Sequence, residues 1–295
     1  MTKALIIGGD GFIGSRLAQK LEIAGYNICA TTRRKNKKYI YFDLIKNKPI
    51  PNLSNYKAVF ICAGMTSYDK CEAQKTLSRK TNIFGVKKII SRLKETKAFV
   101  VYFSSSCVYS GRKKYHHESD KVSPKSEYSR QKVIIEKYIK RNIKDYAIIR
   151  IGKVVNEALP ILSKWHEQLY EKRPITAYSD FTLSPVLLDD LVHISHTIVR
   201  NKLIGTFNVS ASSEISYHRL AKIFCKEMRL RSLKIPKLES TMDPALRNIA
   251  KRHSVLNTEK IKSSLKLNIK SAEKVCKIMC HLYRTKYNMN KGLPH

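Results

Sequence analysis

The chain has 295 residues, and 57 lysines and arginines against 23 aspartates and glutamates give it a formal net charge of +34. A hydrophobic fraction of 43% excludes a disordered chain, and no apolar run approaches the ~18 residues of a membrane span. Seven cysteines without a C-x-x-C spacing predict reduced thiols, a cytoplasmic location and no metal site.

Short apolar runs and helical stripes alternate along the first half of the chain. Helical patterns are predicted at Phe12–Ala24, Lys70–Glu95 and Ser129–Arg141. The alternation predicts an α/β fold, a Rossmann-type doubly wound parallel sheet with helices on both faces. The predicted buried strands are Ala4–Ile7, Asn27–Thr31, Tyr39–Phe42, Ala58–Cys62, Ala98–Phe103 and Tyr146–Ile149.

Beyond about residue 152 the pattern is less regular. Trp165–Tyr170 is predicted as helical, Val186–Val199 as the start of a long helix, and Gly205–Val209 as a strand. The remainder is predicted to be mostly helical.

The segment GGDGFIG follows the first predicted strand and opens the first predicted helix. Glycines there allow a tight turn and a close approach of the backbone to a pyrophosphate, which lies on the positive end of the helix. We therefore predict a dinucleotide site at Gly8, Gly11, Phe12, Ile13 and Gly14. The alternative is an ordinary strand–helix turn.

The second strand is followed by Arg33 and Arg34 rather than by an acidic residue. A carboxylate at this place would bind the ribose hydroxyls of NAD(H), whereas a guanidinium group suits the 2′-phosphate of NADP(H). The sequence therefore favours NADP(H) over NAD(H).

Tyr128 and Lys132 stand four residues apart in EYSRQK, so they share one face of a predicted helix. A nearby ammonium group favours a phenolate, and the pair therefore predicts a lowered pKa for Tyr128 and proton exchange closer to neutrality. Taken alone, in a lysine-rich chain, the pair is better explained as a solvated helix face.

Three segments in order, GGDGFIG, FSSSCVYSG at 103–111 and EYSRQK at 127–132, resemble the extended short-chain dehydrogenase/reductase family. Within it, DFTLSPVLLDDL, GTFNVSASSEISYHRLAKIF and VLNTEKIKSSL resemble most closely the dTDP-4-dehydrorhamnose reductases. The resemblance covers nearly the whole chain. It implies that Ser105, Tyr128 and Lys132 are the catalytic residues.

The same resemblance implies further contacts. Asp43 and Leu44 would lie on the adenine side of the cofactor, and Ala63 and Gly64 beside its nicotinamide ribose, which Tyr128 and Lys132 would also contact. The implied substrate contacts are Met65, Thr66, Ser106, Cys107 and Lys153. The dinucleotide-binding domain is predicted at 1–152, with 181–210 returning to it, and a smaller, mostly helical C-terminal substrate lobe at 153–180 and 211–295.

The implied activity is NADPH-dependent reduction of the 4-keto group of a nucleoside-diphosphate 4-keto-6-deoxy sugar, a step of deoxysugar biosynthesis. Ser106 and Cys107 replace the Asp-Glu pair of the family's 4,6-dehydratases, which argues against water elimination. Cys107 resembles a cysteine of the GDP-fucose synthases, but Glu157 takes the place of its partner histidine. Cys107 is therefore predicted to line the pocket.

Other functions stay open. A nucleotide-sugar 4-epimerase would retain NAD tightly, which Arg33 and Arg34 argue against. A non-catalytic relative that binds RNA through its basic surface would have no reason to keep Ser105, Tyr128 and Lys132. The charge is spread along the whole chain and suits an anionic substrate, so nucleic acid is disfavoured. The oligomeric state is open, with a homodimer as one option.

Overall fold

The computed structural model describes residues 2–34, 38–46, 52–229, 235–239 and 253–290. Parts of the predicted lobe at 211–295 therefore lie outside the described residues. Two compact units divide the chain. The first unit contains Met1–Ser110, Glu118–Arg150 and Asp189–Asn208, and the second unit contains Gly111–His117, Ile151–Leu188 and Val209–His295.

The strands and helices follow the predicted alternation. The strands are β1 (Lys3–Ile7), β2 (Asn27–Thr32), β3 (Ile40–Tyr41), β4 (Ala58–Ile61), β5 (Phe99–Ser105), β6 (Tyr146–Ile151), β7 (Lys153–Val155), β8 (Ala177–Tyr178), β9 (Thr182–Leu183), β10 (Pro185–Leu187), β11 (Gly205–Val209), β12 (Ile215–Ser216) and β13 (Lys237–Leu238). The helices are α1 (Phe12–Ile23), α2 (Tyr68–Ala73), α3 (Lys75–Arg79), α4 (Val86–Leu93), α5 (Glu127–Asn142), α6 (Pro160–Tyr170), α7 (Leu188–Arg200), α8 (Tyr217–Glu227), α9 (Glu259–Leu265) and α10 (Ala272–Asn290), with 3-10 turns at Leu53–Asn55 and Ser106–Val108 and a π-helical segment at Lys80–Gly85.

The main sheet has seven strands in the order β11-β6-β5-β4-β1-β2-β3. The strand β1 pairs in parallel with β2 on one side and β4 on the other, so that Ile7 lies opposite Thr31 and Ile61. The order of the strands changes direction at β1: β2 and β3 follow on one side of it, and β4, β5, β6 and β11 follow on the other. The carboxyl ends of β1, β2 and β4 lie next to one another at this point. This confirms the predicted Rossmann-type fold, and such a reversal point is the usual ligand crevice of these sheets.

Apolar side chains on both faces explain why the strands are buried. The core of the first unit joins Leu5 and Ile7 of β1 to Ile89 and Ile90 of α4 and to Ile135 of α5, all fully buried. The α5 helix begins at Glu127, two residues before the predicted start, because Ser126 and Ser129 form a capping box.

The predicted helical stretch Lys70–Glu95 is helical over most of its length, but it is divided at Gln74 and contains the π-helical segment Lys80–Gly85. One expectation about the elements was wrong. The predicted helix start at Val186 is occupied by β10.

The predicted domain boundaries differ from the observed units at 111–117, 151–152, 181–188 and 209–210, which belong to the second unit. Residues 182–187 belong there because β9 pairs with β12 and β10 pairs with β7. The binding roles of the two lobes stay predictions.

The second unit has its own core, built around Trp165 of α6 and Phe224 of α8 and completed by α10. Two cysteines of α10, Cys276 and Cys280, are fully buried in this core. Among the described residues, no helix combines the length and the apolar composition of a membrane span.

Candidate functional site

The glycine-rich turn between β1 and α1 requires its glycines. Gly8 has a φ of +89°, and a β-carbon there would lie 2.8 Å from the backbone nitrogen of Ala63. A β-carbon on Gly14 would overlap the carbonyl oxygen of Gly8. A side chain at Gly8 would therefore push the turn away from the end of β4, and a side chain at Gly14 would push α1 away from the turn.

The first turn of α1 faces this bend with its positive end. Gly11 is the N-cap residue and supplies no side-chain cap. Because the amide groups of a first helical turn have no partners within the helix, they can bind an anion such as a pyrophosphate. The turn therefore fits a dinucleotide.

A cleft of about 500 Å³ runs along the carboxyl ends of the central strands, a volume within the range of cofactor sites. Of the predicted cofactor contacts, Gly8, Gly11, Arg33, Arg34, Asp43, Leu44, Ala63 and Gly64 line it, as does the predicted substrate contact Met65. Phe12 is about half exposed and Gly14 is buried beneath the turn. Residues of the lining that sequence reasoning missed include Asp10, Thr31, Thr32, Lys70, Gln74 and Thr81.

The basic end of β2 is held by two threonine hydroxyls. Thr31 accepts a hydrogen bond from the N–H of Gly8 (3.2 Å), and Thr32 accepts one from the N–H of Arg34 (3.0 Å). The guanidinium of Arg34 is 78% exposed and lies 3.6 Å from the Asp10 carboxylate. A cation that is this exposed can turn toward a phosphate, because its pairing with Asp10 is weak.

The loop after β4 is fixed by Asn82, which lies in the π-helical segment. Its amide nitrogen donates to the carbonyl of Met65 (2.8 Å) and to Gln131 (2.7 Å), while its amide oxygen accepts from the N–H of Met65 (2.7 Å). Gln131 lies on α5 between Tyr128 and Lys132, so Asn82 ties this loop to the helix that carries both. Asn82 stands in the predicted helical stretch Lys70–Glu95, but only the contacts in the structure show what it holds.

Lys132 and Tyr128 lie on one face of α5, as their spacing predicts. The Nζ atom of Lys132 lies 5.4 Å from the centre of the Tyr128 ring and 4.6 Å from that of Tyr102. It also donates a hydrogen bond to the carbonyl of Phe103 (2.7 Å). The ammonium group is therefore held beside the phenol ring by the end of β5.

The predicted lowering of the Tyr128 pKa is wrong in this structure. Burial, together with the neighbouring Cys107 and Cys71, raises the pKa of the phenol well above its usual value. Burial also lowers the pKa of Lys132 to about 8. Removal from water disfavours the charged form of each side chain. Tyr128 is thus protonated at neutral pH, which is the form needed to donate a proton.

Ser105 ends β5 and caps the following 3-10 turn. Its Oγ accepts a hydrogen bond from the N–H of Cys107 (3.3 Å). Burial, with the neighbouring Cys107, raises the pKa of the Tyr68 phenol, on α2. Its ring packs edge-on against Tyr128, with 5.3 Å between ring centres. Tyr68 thus packs against the predicted proton donor, a contact that sequence reasoning missed because nothing local marks it.

The other predicted substrate contacts have different surroundings. Thr66 is exposed, and Ser106 is half-buried in the 3-10 turn. Burial raises the pKa of the Cys107 thiol, which keeps it protonated. Lys153 is an exposed residue of β7 in the second unit, and its N–H donates to the carbonyl of Ser184 (3.0 Å).

A buried ion pair joins β6 to α5 in the first unit. Arg150 donates to the Glu136 carboxylate, with a shortest distance of 2.6 Å, and to the Tyr109 hydroxyl (2.5 Å). Ser104, beside Ser105, donates to the same carboxylate (2.5 Å). Both charged side chains are 3% exposed, so the pair fixes the end of β5 against α5. Among the described residues, no three His, Cys, Asp or Glu side chains form a metal-binding group.

The chain is similar in sequence and in fold to known proteins. The chain is 26% identical over 239 residues to the spore coat polysaccharide biosynthesis protein SpsK of Bacillus subtilis, covering 79% of this chain and 81% of that protein. It is 25% identical over 281 residues to the dTDP-4-dehydrorhamnose reductase of Salmonella typhimurium, covering 89% and 92%.

The crystal structure of the dTDP-4-dehydrorhamnose reductase of Bacillus anthracis in complex with NADP has a TM-score of 0.80 at 19% identity, covering 95% of this chain and 98% of that chain. At this identity the likeness shows a shared fold. The family model described as RmlD substrate binding domain matches residues 2–284. The resemblance predicted from the sequence is thereby confirmed, and the chain belongs to the RmlD substrate binding domain family.

Proposed function

We propose that this protein is an NADPH-dependent reductase of the 4-keto group of a nucleoside-diphosphate 4-keto-6-deoxy sugar, acting in deoxysugar biosynthesis in the cytoplasm. The observation that carries the proposal is a protonated Tyr128 with Lys132 beside it, in the same unit as a glycine-lined cleft with arginines at its rim. The reductase names among the relatives support the substrate class.

The residues of the cleft fit NADPH. Gly8 and Gly11 would let the pyrophosphate approach the positive end of α1, and Arg33 and Arg34 would bind the 2′-phosphate. When bound, NADPH supplies the hydride that reaches the carbonyl carbon.

The chain's own residues would supply a proton and a hydrogen bond to the oxygen of the reacting carbonyl. Tyr128 would donate its proton to this oxygen, and Ser105 would donate a hydrogen bond to it as negative charge develops. Lys132, held by the carbonyl of Phe103, would stabilise the phenolate that remains after the proton has left. Ser106 and Cys107 offer no carboxylate pair, so reduction is favoured over dehydration.

The direct test follows NADPH oxidation against dTDP-, UDP- and GDP-linked 4-keto-6-deoxy sugars. We expect oxidation with at least one of them and a product reduced at C4. If none is reduced, and the denatured protein instead releases NAD⁺, the 4-epimerase alternative replaces this proposal. Salt-sensitive RNA binding without affinity for NADPH would instead favour the non-catalytic alternative.

Replacing Arg33 and Arg34 together by alanine should weaken NADPH binding by about tenfold to a hundredfold, because charge-assisted hydrogen bonds to the 2′-phosphate are lost. NADH has no such phosphate, so its dissociation constant should change by less than about threefold. Fluorescence titration with each nucleotide measures both constants.

The matched control is Arg92→Ala, which removes an exposed arginine of α4 that is absent from the cleft's described lining. It lowers the positive charge without touching the rim, and both affinities should persist. Equal losses for NADPH and NADH in the Arg33/Arg34 variant would remove these arginines from the phosphate site.

A further inference from the structure

The last residues of β5, Phe103–Ser105, carry the predicted catalytic serine beyond the pairing of β5 with β4. That pairing ends with Tyr102 of β5 opposite Ile61 of β4. Ser105 is the last residue of β5 and the N-cap of the 3-10 turn that follows. Contacts outside this pairing must therefore help to hold the serine in place.

The α5 helix holds this end of β5 at two consecutive residues. The Nζ atom of Lys132 donates to the carbonyl of Phe103 (2.7 Å), and the Oγ of Ser104 donates to the carboxylate of Glu136 (2.5 Å). Tyr128, Lys132 and Glu136 follow one another at four-residue spacing, which places them on one side of the helix. The side of α5 that carries the predicted proton donor therefore also holds the two residues that precede the predicted catalytic serine.

The contact between Ser104 and Glu136 is suited to fixing the strand, because both side chains are buried and the acceptor is charged. Hydrogen bonds to a carboxylate are shorter and stronger than those between neutral groups. Two guanidinium nitrogens of Arg150 donate to the same carboxylate, at 2.6 Å and 3.1 Å. The carboxylate is therefore itself held in place, and it offers Ser104 a fixed partner.

We propose that Ser104 is a positioning residue, whose hydrogen bond to Glu136 fixes the end of β5 and so places the Ser105 hydroxyl against the carbonyl oxygen of the substrate. The inference rests on the proposed reduction. Ser104 is buried and acts only through Ser105, without contacting the sugar.

Ser104→Ala removes only the hydroxyl, and Arg150 still neutralises the Glu136 carboxylate. We expect kcat for reduction to fall about tenfold, because a misplaced donor stabilises the charge that develops on the oxygen less well. The KM for NADPH and the KM for the sugar should stay within about twofold of wild type, since the lost interaction matters mainly in the transition state. Steady-state NADPH oxidation measures all three constants.

The matched control is Ser195→Ala, which removes the hydroxyl of another fully buried serine in the same unit. The Oγ of Ser195 donates to the carbonyl of Leu191 within α7 (2.7 Å), and Ser195 is absent from the cleft's described lining. We expect the control to keep the wild-type kcat and both variants to keep a cooperative urea transition. Equal losses of kcat in the two variants would assign the effect to a general loosening of the unit and overturn the inference.

A double-mutant cycle with Ser105→Ala shows whether Ser104 acts through Ser105. In the Ser105→Ala background, Ser104→Ala should have no further effect on kcat, because the hydroxyl to be positioned is already gone. An equal drop in both backgrounds would mean that Ser104 acts through another group and would contradict the inference. So would a Ser104→Ala enzyme with wild-type kcat, or one in which only KM rises.

The wild-type enzyme separates the two claims. If it reduces a 4-keto sugar while Ser104→Ala matches it, only the role of Ser104 is lost. If the wild type reduces none of the sugars, the proposed function fails, and the role of Ser104 in reduction falls with it.

Discussion

Tyr128→Phe should lower kcat for the reduction by about a thousandfold while changing the dissociation constant of NADPH by less than about twofold. The phenylalanine ring keeps the buried volume and the edge-on contact with Tyr68. Only the hydroxyl is lost, and with it the proton that the developing alkoxide needs. Steady-state NADPH oxidation measures the first quantity and fluorescence titration the second.

The raised pKa of Tyr128 supports this expectation, because it keeps the proton on the phenol. Because the phenol is protonated throughout the neutral range, loss of its proton cannot limit the wild-type enzyme near pH 7. Tyr138→Phe serves as the control, since its hydroxyl lies on the surface beside Ser91. Undiminished turnover in Tyr128→Phe would show that another group protonates the sugar oxygen.

Arg150→Met should lower the free energy of unfolding by about 3–5 kcal/mol, because the buried Glu136 carboxylate would lose its cation. Ser104 would remain as a donor to Glu136, but a single neutral hydroxyl does not compensate a buried charge. Urea denaturation followed by circular dichroism measures the change.

An exposed ion pair provides the comparison. Arg219 and Glu273, in the second unit, are 54% and 40% exposed, and Arg219→Ala should cost less than about 1 kcal/mol. Replacing Arg150 and Glu136 together by Met and Gln should cost much less than Arg150→Met alone, because no charge is then left buried. If Arg150→Met costs no more than Arg219→Ala, the buried pair is not a major source of stability.

The local pattern of the sequence was sufficient to predict the fold and most of the residues that line the cleft. Apolar runs predict buried strands because parallel strands are covered on both faces, and β1, β2 and β4 appear where these runs occur. Gly8 and Gly14 could be recognised because their constraint arises within one turn. The shared face of Tyr128 and Lys132 follows from helical geometry alone.

Contacts between residues that are far apart in the chain could not be predicted from the sequence. Asn82 holds Met65, 17 positions away, and the interruption of the predicted helix at Lys70–Glu95 includes the π-helical segment that carries Asn82. Tyr68 meets Tyr128 only after α2 and α5 have packed together. Neither side chain belongs to a pattern that its neighbours in the sequence reveal.

The sequence by itself was enough to propose which groups carry the chemistry: the glycine turn, the arginines after β2, and the pair Tyr128 and Lys132. Only the tertiary structure decided the direction in which the pKa values of Tyr128 and Lys132 are shifted. Spacing predicts that Lys132 lowers the pKa of Tyr128, but packing buries the phenol and raises it. Burial is a property of all the surrounding elements, and the cost of removing a charge from water outweighs the attraction of one neighbouring ammonium group.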